Sequence, residues 1–112
     1  MIKIKNYFFY DESKSENLGS GISRKILAHN GSLMTVEVSF EKEAVGSLHS
    51  HTHEQMTYVL EGKFIFKIGD KEKIVKAGDV LYKESNVEHG CVCLEKGKLI
   101  DIFTPIRQDF IK

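Results

Sequence analysis

Four of the chain's five histidines, His49, His51, His53 and His89, are the side chains best suited to chemistry, and the first three fall within the segment LHSHTHEQ. Alternate residues of an extended strand point to the same side, so the imidazoles of His49 and His51 can converge on one ion. The competing reading is a solvated polar turn whose histidines are incidental.

Strands have to position these groups. Nine glycines and a single proline punctuate the chain, and the runs between them have a period of two, which predicts an all-β fold. Lys63 to Ile68 sets Phe64, Phe66 and Ile68 on one face, and Gly69-Asp70 turns it into Glu72 to Lys76. Further strands are predicted at Ile22 to Ala28, Leu33 to Phe40 after an Asn30-Gly31 turn, Leu48 to His51, Gln55 to Glu61, Val80 to Lys83, His89 to Leu94 and Leu99 to Phe103. Asp11 to Ser20 reads as a polar loop. With no repeat or linker, residues 1–112 form one domain, with an N-terminal strand and loop over 1–20 and a tail over 104–112. So many short strands must close their edges, and a small barrel or double-sheet jelly roll does so. Met56, Tyr58 and Leu60 share one face of their strand, and Thr57 and Val59 the other. A strand apolar on both faces predicts a second layer, expected here to be a homodimer partner. Ile2 to Tyr10 has no evident place inside a barrel and is available to add a strand to that partner.

Sixteen basic residues balance sixteen acidic ones, so no basic nucleic-acid footprint is present. At 41% apolar and 29% charged residues the chain has globular composition. Size scaling buries about two-thirds of the unfolded surface, enough for a core and one pocket. The opening MIKIKNYFFY interrupts its apolar residues with lysines. Neither a secretory signal nor a membrane span is expected, and the cytoplasm is the default location. Cys91 and Cys93 stand two apart on one strand, poorly placed for bridging and expected to be reduced.

His49-Ser50-His51, followed by Gln55 and then Gly62, resembles the first motif of the cupin superfamily, in which HxH is followed by Glu and Gly. Gly78-Asp79 through Asn86 to His89 resembles the second. Gln55 stands in the place of Glu, Glu84 in that of the usual Pro, Asn86 in that of the usual Gly, and Cys93 where Asn is common. The resemblance implies a cupin-type double-stranded β-helix, a jelly-roll barrel, with a divalent ion held by His49, His51, Gln55 and His89. Periodicity alone leaves His53 open as the fourth ligand, since it shares parity with Gln55; the spacing to Gly62 favours Gln55. An amide in place of a carboxylate leaves the site one unit more positive, binding metal less tightly but polarising a bound oxygen more strongly.

From Gly46 to Phe110, the segments HSHTHEQ, YVLEGKF, AGDVLY, VEHG and DIFTPIRQDF look like the KdgF-type small cupins of pectin and alginate breakdown. That type converts 4,5-unsaturated monouronates to open-chain keto sugars. In it the Asp, Phe and Arg of a D-x-F-x-P-x-R segment are functional, and they correspond to Asp101, Phe103 and Arg107. Asp101 lies among apolar neighbours whichever way its strand faces; a structural ion pair and a general acid/base are the two explanations. Arg107, the only arginine besides Arg24, offers a planar fork suited to a uronate carboxylate, or to a surface ion pair. Phe103 is plain core or a pocket wall, and both cysteines read as inert packing. No redox change is required, so Ni, Mn, Zn or Fe could serve. A sugar- or metabolite-binding module without turnover and a metal-dependent dioxygenase are the rival functions.

Overall fold

A computed structural model describes residues 4–111. Eight strands follow in chain order: β1 (Ser15–Gly19), β2 (Ile22–Asn30), β3 (Leu33–Phe40), β4 (Val45–His49), β5 (Glu54–Ile68), β6 (Lys71–Lys76), β7 (Val80–Lys83) and β8 (His89–Thr104). All pairings are antiparallel, in the order β1-β2-β3-β8-β5-β6, with β4 added to β8 and β7 to β5. The expected jelly-roll barrel is the fold found. Its two long strands are the reason it closes. The first half of β5 pairs with β7 and the second with β6, while β8 takes β4 on its first half and β3 on its second. Each long strand therefore serves both faces of the barrel.

Where the sequence predicts breaks at Gly62 and after Leu94, the strands bend and continue. The β5/β8 register slips between Val59 and Phe64. Gly62 adopts φ +87° there, and an added Cβ would lie 2.6 Å from the carbonyl oxygens of Glu95 and Lys96. Only glycine meets both demands. Ser15–Gly19, inside the expected polar loop, is instead an edge strand on β2. Its side chains are all exposed, so no apolar alternation announced it.

Alternation is followed closely elsewhere. Phe40, Val59, Phe64, Phe66, Leu81, Cys93 and Leu99 form the main core. A second cluster joins Met34, Val36 and Phe103 to Ile106 and Phe110 of the tail. Removing one side chain such as Phe64 from water is worth about 1.5–3 kcal/mol. The expected N-terminal strand over 2–10 falls partly outside the described residues. From residue 4 the segment runs without strand into a one-turn 3-10 helix, Tyr10–Glu12. The Tyr10 hydroxyl donates to buried Glu37 (2.7 Å), and Ser13 donates to the carbonyl of Ile26. These bonds tie the segment to the outer face of β2 and β3.

Candidate metal centre

The period-two pattern turns His49 on β4, Gln55 and Thr57 on β5, Lys83 on β7, and His89 and Asp101 on β8 toward the barrel interior. There His49, Gln55, Lys83, His89, Asp101 and Phe103 line one cavity of about 160 Å³. Backbone register places His49 directly opposite His89 and Gln55 opposite Lys83. His51 follows β4 and returns over the cluster: its ring centroid is 5.0 Å from that of His89 and 5.7 Å from that of His49.

Each of these three imidazoles has its Nδ1 against a main-chain carbonyl: His49 on Ser47 (2.8 Å), His51 on His53 (3.0 Å) and His89 on Val87 (3.0 Å). Nδ1–H is thereby the donor and Nε2 is left to face the cluster. One ring nitrogen from each lies within 4.8 Å of the others. His89 Nε2 is buried and has no hydrogen-bond partner. Burial first, and the Lys83 charge second, push the His89 pKa down to about 4, and burial with the Arg107 charge lowers that of His51. Neutral imidazoles are the form that ligates a metal.

Gln55 completes the set through Thr57. The Thr57 hydroxyl has two lone pairs and one hydrogen. Lys83 Nζ donates to it at 2.9 Å and Gln55 Nε2 at 3.1 Å, so its own hydrogen goes to Asp101 Oδ1 at 2.6 Å. With Nε2 so engaged, Gln55 turns its Oε1 to His51 Nε2, 3.0 Å away. A cation bound by both, or a proton on His51 Nε2, reconciles two lone pairs facing each other at that distance. The residues present therefore fit a divalent ion, in a mixed nitrogen and oxygen set open to several transition metals.

The cupin family's domain matches residues 36–103 of this chain. The chain belongs to the cupin family. Over 110 residues this cupin is 44% identical to the pectin degradation protein KdgF of Dickeya dadantii, covering 96% of the chain and all of the relative. Two solved structures superpose closely. An RmlC-like cupin from Shewanella frigidimarina has a TM-score of 0.91 at 38% identity, covering 99% of this chain and all of that one. KdgF from Halomonas sp. has a TM-score of 0.91 at 34% identity, covering 96% of this chain and all of that one.

Not every residue singled out in the sequence lies in this cupin's cavity. Arg107 stacks beyond Phe103, with Cζ 5.2 Å from that ring and 4.2 Å from the ring of Phe110. Its fork is engaged by Asp109, Nε to Oδ1 at 3.0 Å and Nη2 to Oδ2 at 2.8 Å. His53 contributes a carbonyl to His51, while its ring packs against Phe103 and its Nδ1 is buried without a partner. Cys91 borders the cavity, its thiol pushed up to about 12 chiefly by burial. Lys83 and Thr57 join the site beyond the residues that the motifs single out, and the sequence holds a signal for both. In Val80 to Lys83 the lysine shares parity with buried Leu81, and Thr57 shares parity with Gln55 and Val59.

Proposed function

We propose that this protein is a metal-dependent small cupin that converts a 4,5-unsaturated monouronate into its open-chain keto form. The observation carrying the reading is the shared cavity. A carboxylate, Asp101, lines the same cavity as His49, Gln55 and His89 and is held by Thr57. The near-full-length likeness to a pectin degradation protein supports a sugar acid from pectin breakdown as the substrate. A cavity this small favours a monosaccharide over a longer oligosaccharide.

In such a substrate the ring oxygen belongs to an enol ether. Opening the hemiacetal moves one proton off O1, breaks the bond between C1 and the ring oxygen, leaves an aldehyde at C1, and ends with a proton arriving at C4 as C5 becomes a ketone. No electrons are gained or lost. A divalent ion held by His49, His51, Gln55 and His89 would supply Lewis-acid stabilisation of the developing oxygen charge. The chain's own part is proton handling at Asp101. Thr57 occupies one lone pair of Oδ1 and leaves Oδ2 free, and Oδ2 is the atom that takes or gives a proton in this reading. Phe103 walls the cavity and excludes water, and Arg107 braces Phe103 from behind.

The protein also acts as a homodimer in this reading. Met56, Tyr58 and Leu60 of β5, Val80 and Tyr82 of β7, and Ile102 of β8 leave an exposed apolar patch across three adjacent strands. Light scattering should give twice 12.8 kDa; a monomer at micromolar concentration rejects the dimer. No helix among the described residues is long and apolar enough to cross a membrane, and a cytoplasmic location is part of the proposal.

The deciding experiment follows the ultraviolet absorbance of the C4=C5 bond when metal-loaded protein meets the monomeric products of pectate or alginate lyases. Loss of the absorbance faster than in buffer supports the reading. No acceleration on any unsaturated uronate rejects it in favour of a non-catalytic binder.

A further inference from the structure

Lys83 is the anomaly of the cavity. Its side chain is 3% exposed, yet none of the ion pairs among the described residues includes it. An ammonium group has three N–H donors. One is used by Thr57 at 2.9 Å, and the group also sits 4.7 Å from the centroid of the Phe66 ring. Asp101 is separated from it by the Thr57 hydroxyl, which each of them bonds. Taking such a charge out of water costs several kcal/mol unless an anion and further hydrogen bonds compensate. The protein compensates only in part, and the unused donors belong to a residue lining the cavity.

Arg107 offers the other cation nearby, but both its Nε and its Nη2 are occupied by Asp109, and Phe103 stands between it and the cavity. A carboxylate entering the barrel therefore meets Lys83 as the cation in the cavity lining, while Arg107, with two of its N–H groups on Asp109, lies behind Phe103.

We propose that Lys83 is the substrate-binding residue that takes the carboxylate of the sugar acid inside the barrel. This deepens the uronate reading and rests on it for the identity of the acid. Asp101 would then face the far side of the Thr57 hydroxyl, so the substrate's permanent charge and its proton-transfer group are kept on separate side chains. Lys83 also acts on Asp101 indirectly. By filling one lone pair of Thr57 it keeps the hydroxyl hydrogen on Asp101 Oδ1.

The test compares D-galacturonate, which has no double bond to open, with neutral D-galactose, by calorimetric titration of the metal-loaded protein. The wild type should bind the acid at least about tenfold more tightly than the neutral sugar, as a desolvated charge pair would. Lys83→Met, which fills the same buried volume, should lose that preference to within about threefold while elemental analysis shows the same metal content. Lys83→Gln, polar but uncharged, should behave alike and serves if the methionine variant does not fold. Arg107→Gln should keep the preference. A wild type that does not distinguish acid from neutral sugar, a Lys83 variant that still does, or loss confined to Arg107→Gln would each overturn the proposal. Turnover is scored separately on unsaturated uronates. An active wild type with unchanged acid preference in Lys83→Met refutes Lys83 alone. An inactive wild type whose acid preference vanishes in Lys83→Met refutes the uronate reaction and leaves Lys83 as the anion site.

Discussion

Replacing Thr57 by Val should destabilise the protein far more than its size suggests, and removing Lys83 as well should restore part of the loss. The hydroxyl becomes a methyl of nearly the same shape, so no cavity opens at this fully buried position. Three groups lose a partner: Lys83 Nζ, Gln55 Nε2 and Asp101 Oδ1. A buried polar group left unpaired costs about 1–3 kcal/mol. Half-buried Asp101 can recover a water, which puts the sum at roughly 3–5 kcal/mol. For 112 residues the unfolding entropy of about 2.1 cal/mol/K per residue converts this into a fall of about 12–20 °C in Tm. Lys83→Met alone should be neutral or stabilising by about 1–3 kcal/mol, because it removes a buried charge while Thr57 keeps two partners. In Thr57→Val/Lys83→Met the ammonium is no longer stranded, so the double variant should be more stable than the summed single effects by about 1–3 kcal/mol. Urea unfolding in chelator, which removes any contribution from bound metal, measures all four species. Additivity within about 0.5 kcal/mol, or a Thr57→Val protein as stable as wild type, would show that the hydroxyl is not the hub of these interactions.

Protein purified without chelator should carry near-stoichiometric divalent metal by elemental analysis, and His49→Ala/His51→Ala should carry almost none; full retention would place the ion elsewhere. Asp101→Asn should keep the metal and the fold while turnover of an unsaturated uronate drops about 100-fold or more, and unchanged turnover would remove Asp101 from the chemistry. Gly62→Ala should cost several kcal/mol or prevent folding, since the new Cβ meets backbone oxygens at 2.6 Å, whereas Gly31→Ala, at φ +55° with open space around it, should cost about 1–2 kcal/mol. Equal denaturation midpoints for the two glycine variants would contradict this. With a thiol pKa near 12, Cys91 has a thiolate fraction of about one in ten thousand at pH 8. Native protein should therefore leave Cys91 unmodified by iodoacetamide where urea-unfolded protein reacts, and rapid native labelling mapped to Cys91 would count against its burial.

The barrel was legible wherever alternation has consequences for burial. Phe64 and Phe66 against Lys63 and Lys67 state which way their strand faces, whereas Leu99 and Phe103 against Ile100 and Ile102 are apolar on both sides and leave the facing of Asp101 to the fold. β1 was not legible, because a fully exposed edge strand has no apolar face to display. Nor was the joining of two short runs into each of β5 and β8, where glycine marks a bend inside a strand as readily as the end of one. In the site, the motif resemblance named His49, His51, Gln55 and His89, and the fold brings these four side chains together. Composition argues against Lys83 as an interior residue, since lysine is rarely buried without a partner, and only its parity with Leu81 marks it as inward-facing. The engagement of Arg107 by Asp109 depends on how the tail folds back over Phe103 and Phe110, which local pattern does not encode.

The carbonyls that aim His49, His51 and His89 belong to Ser47, His53 and Val87, and in each case it is the main chain that accepts. A substitution at those three positions changes a side chain and leaves the accepting oxygen in place. The aim of the imidazoles is thus insulated from genetic drift in their immediate surroundings, in a way that an orienting aspartate or glutamate would not be. Residues such as Lys83, Thr57 and Asp101 have no such protection, since their own side chains make the contacts. Under the proposed function, a lineage carrying this barrel could exchange them and so change which anion it accepts while the orientation of the three imidazoles persists. New specificity would then be reached by altering the wall of the cavity, with the histidine cluster kept as it is.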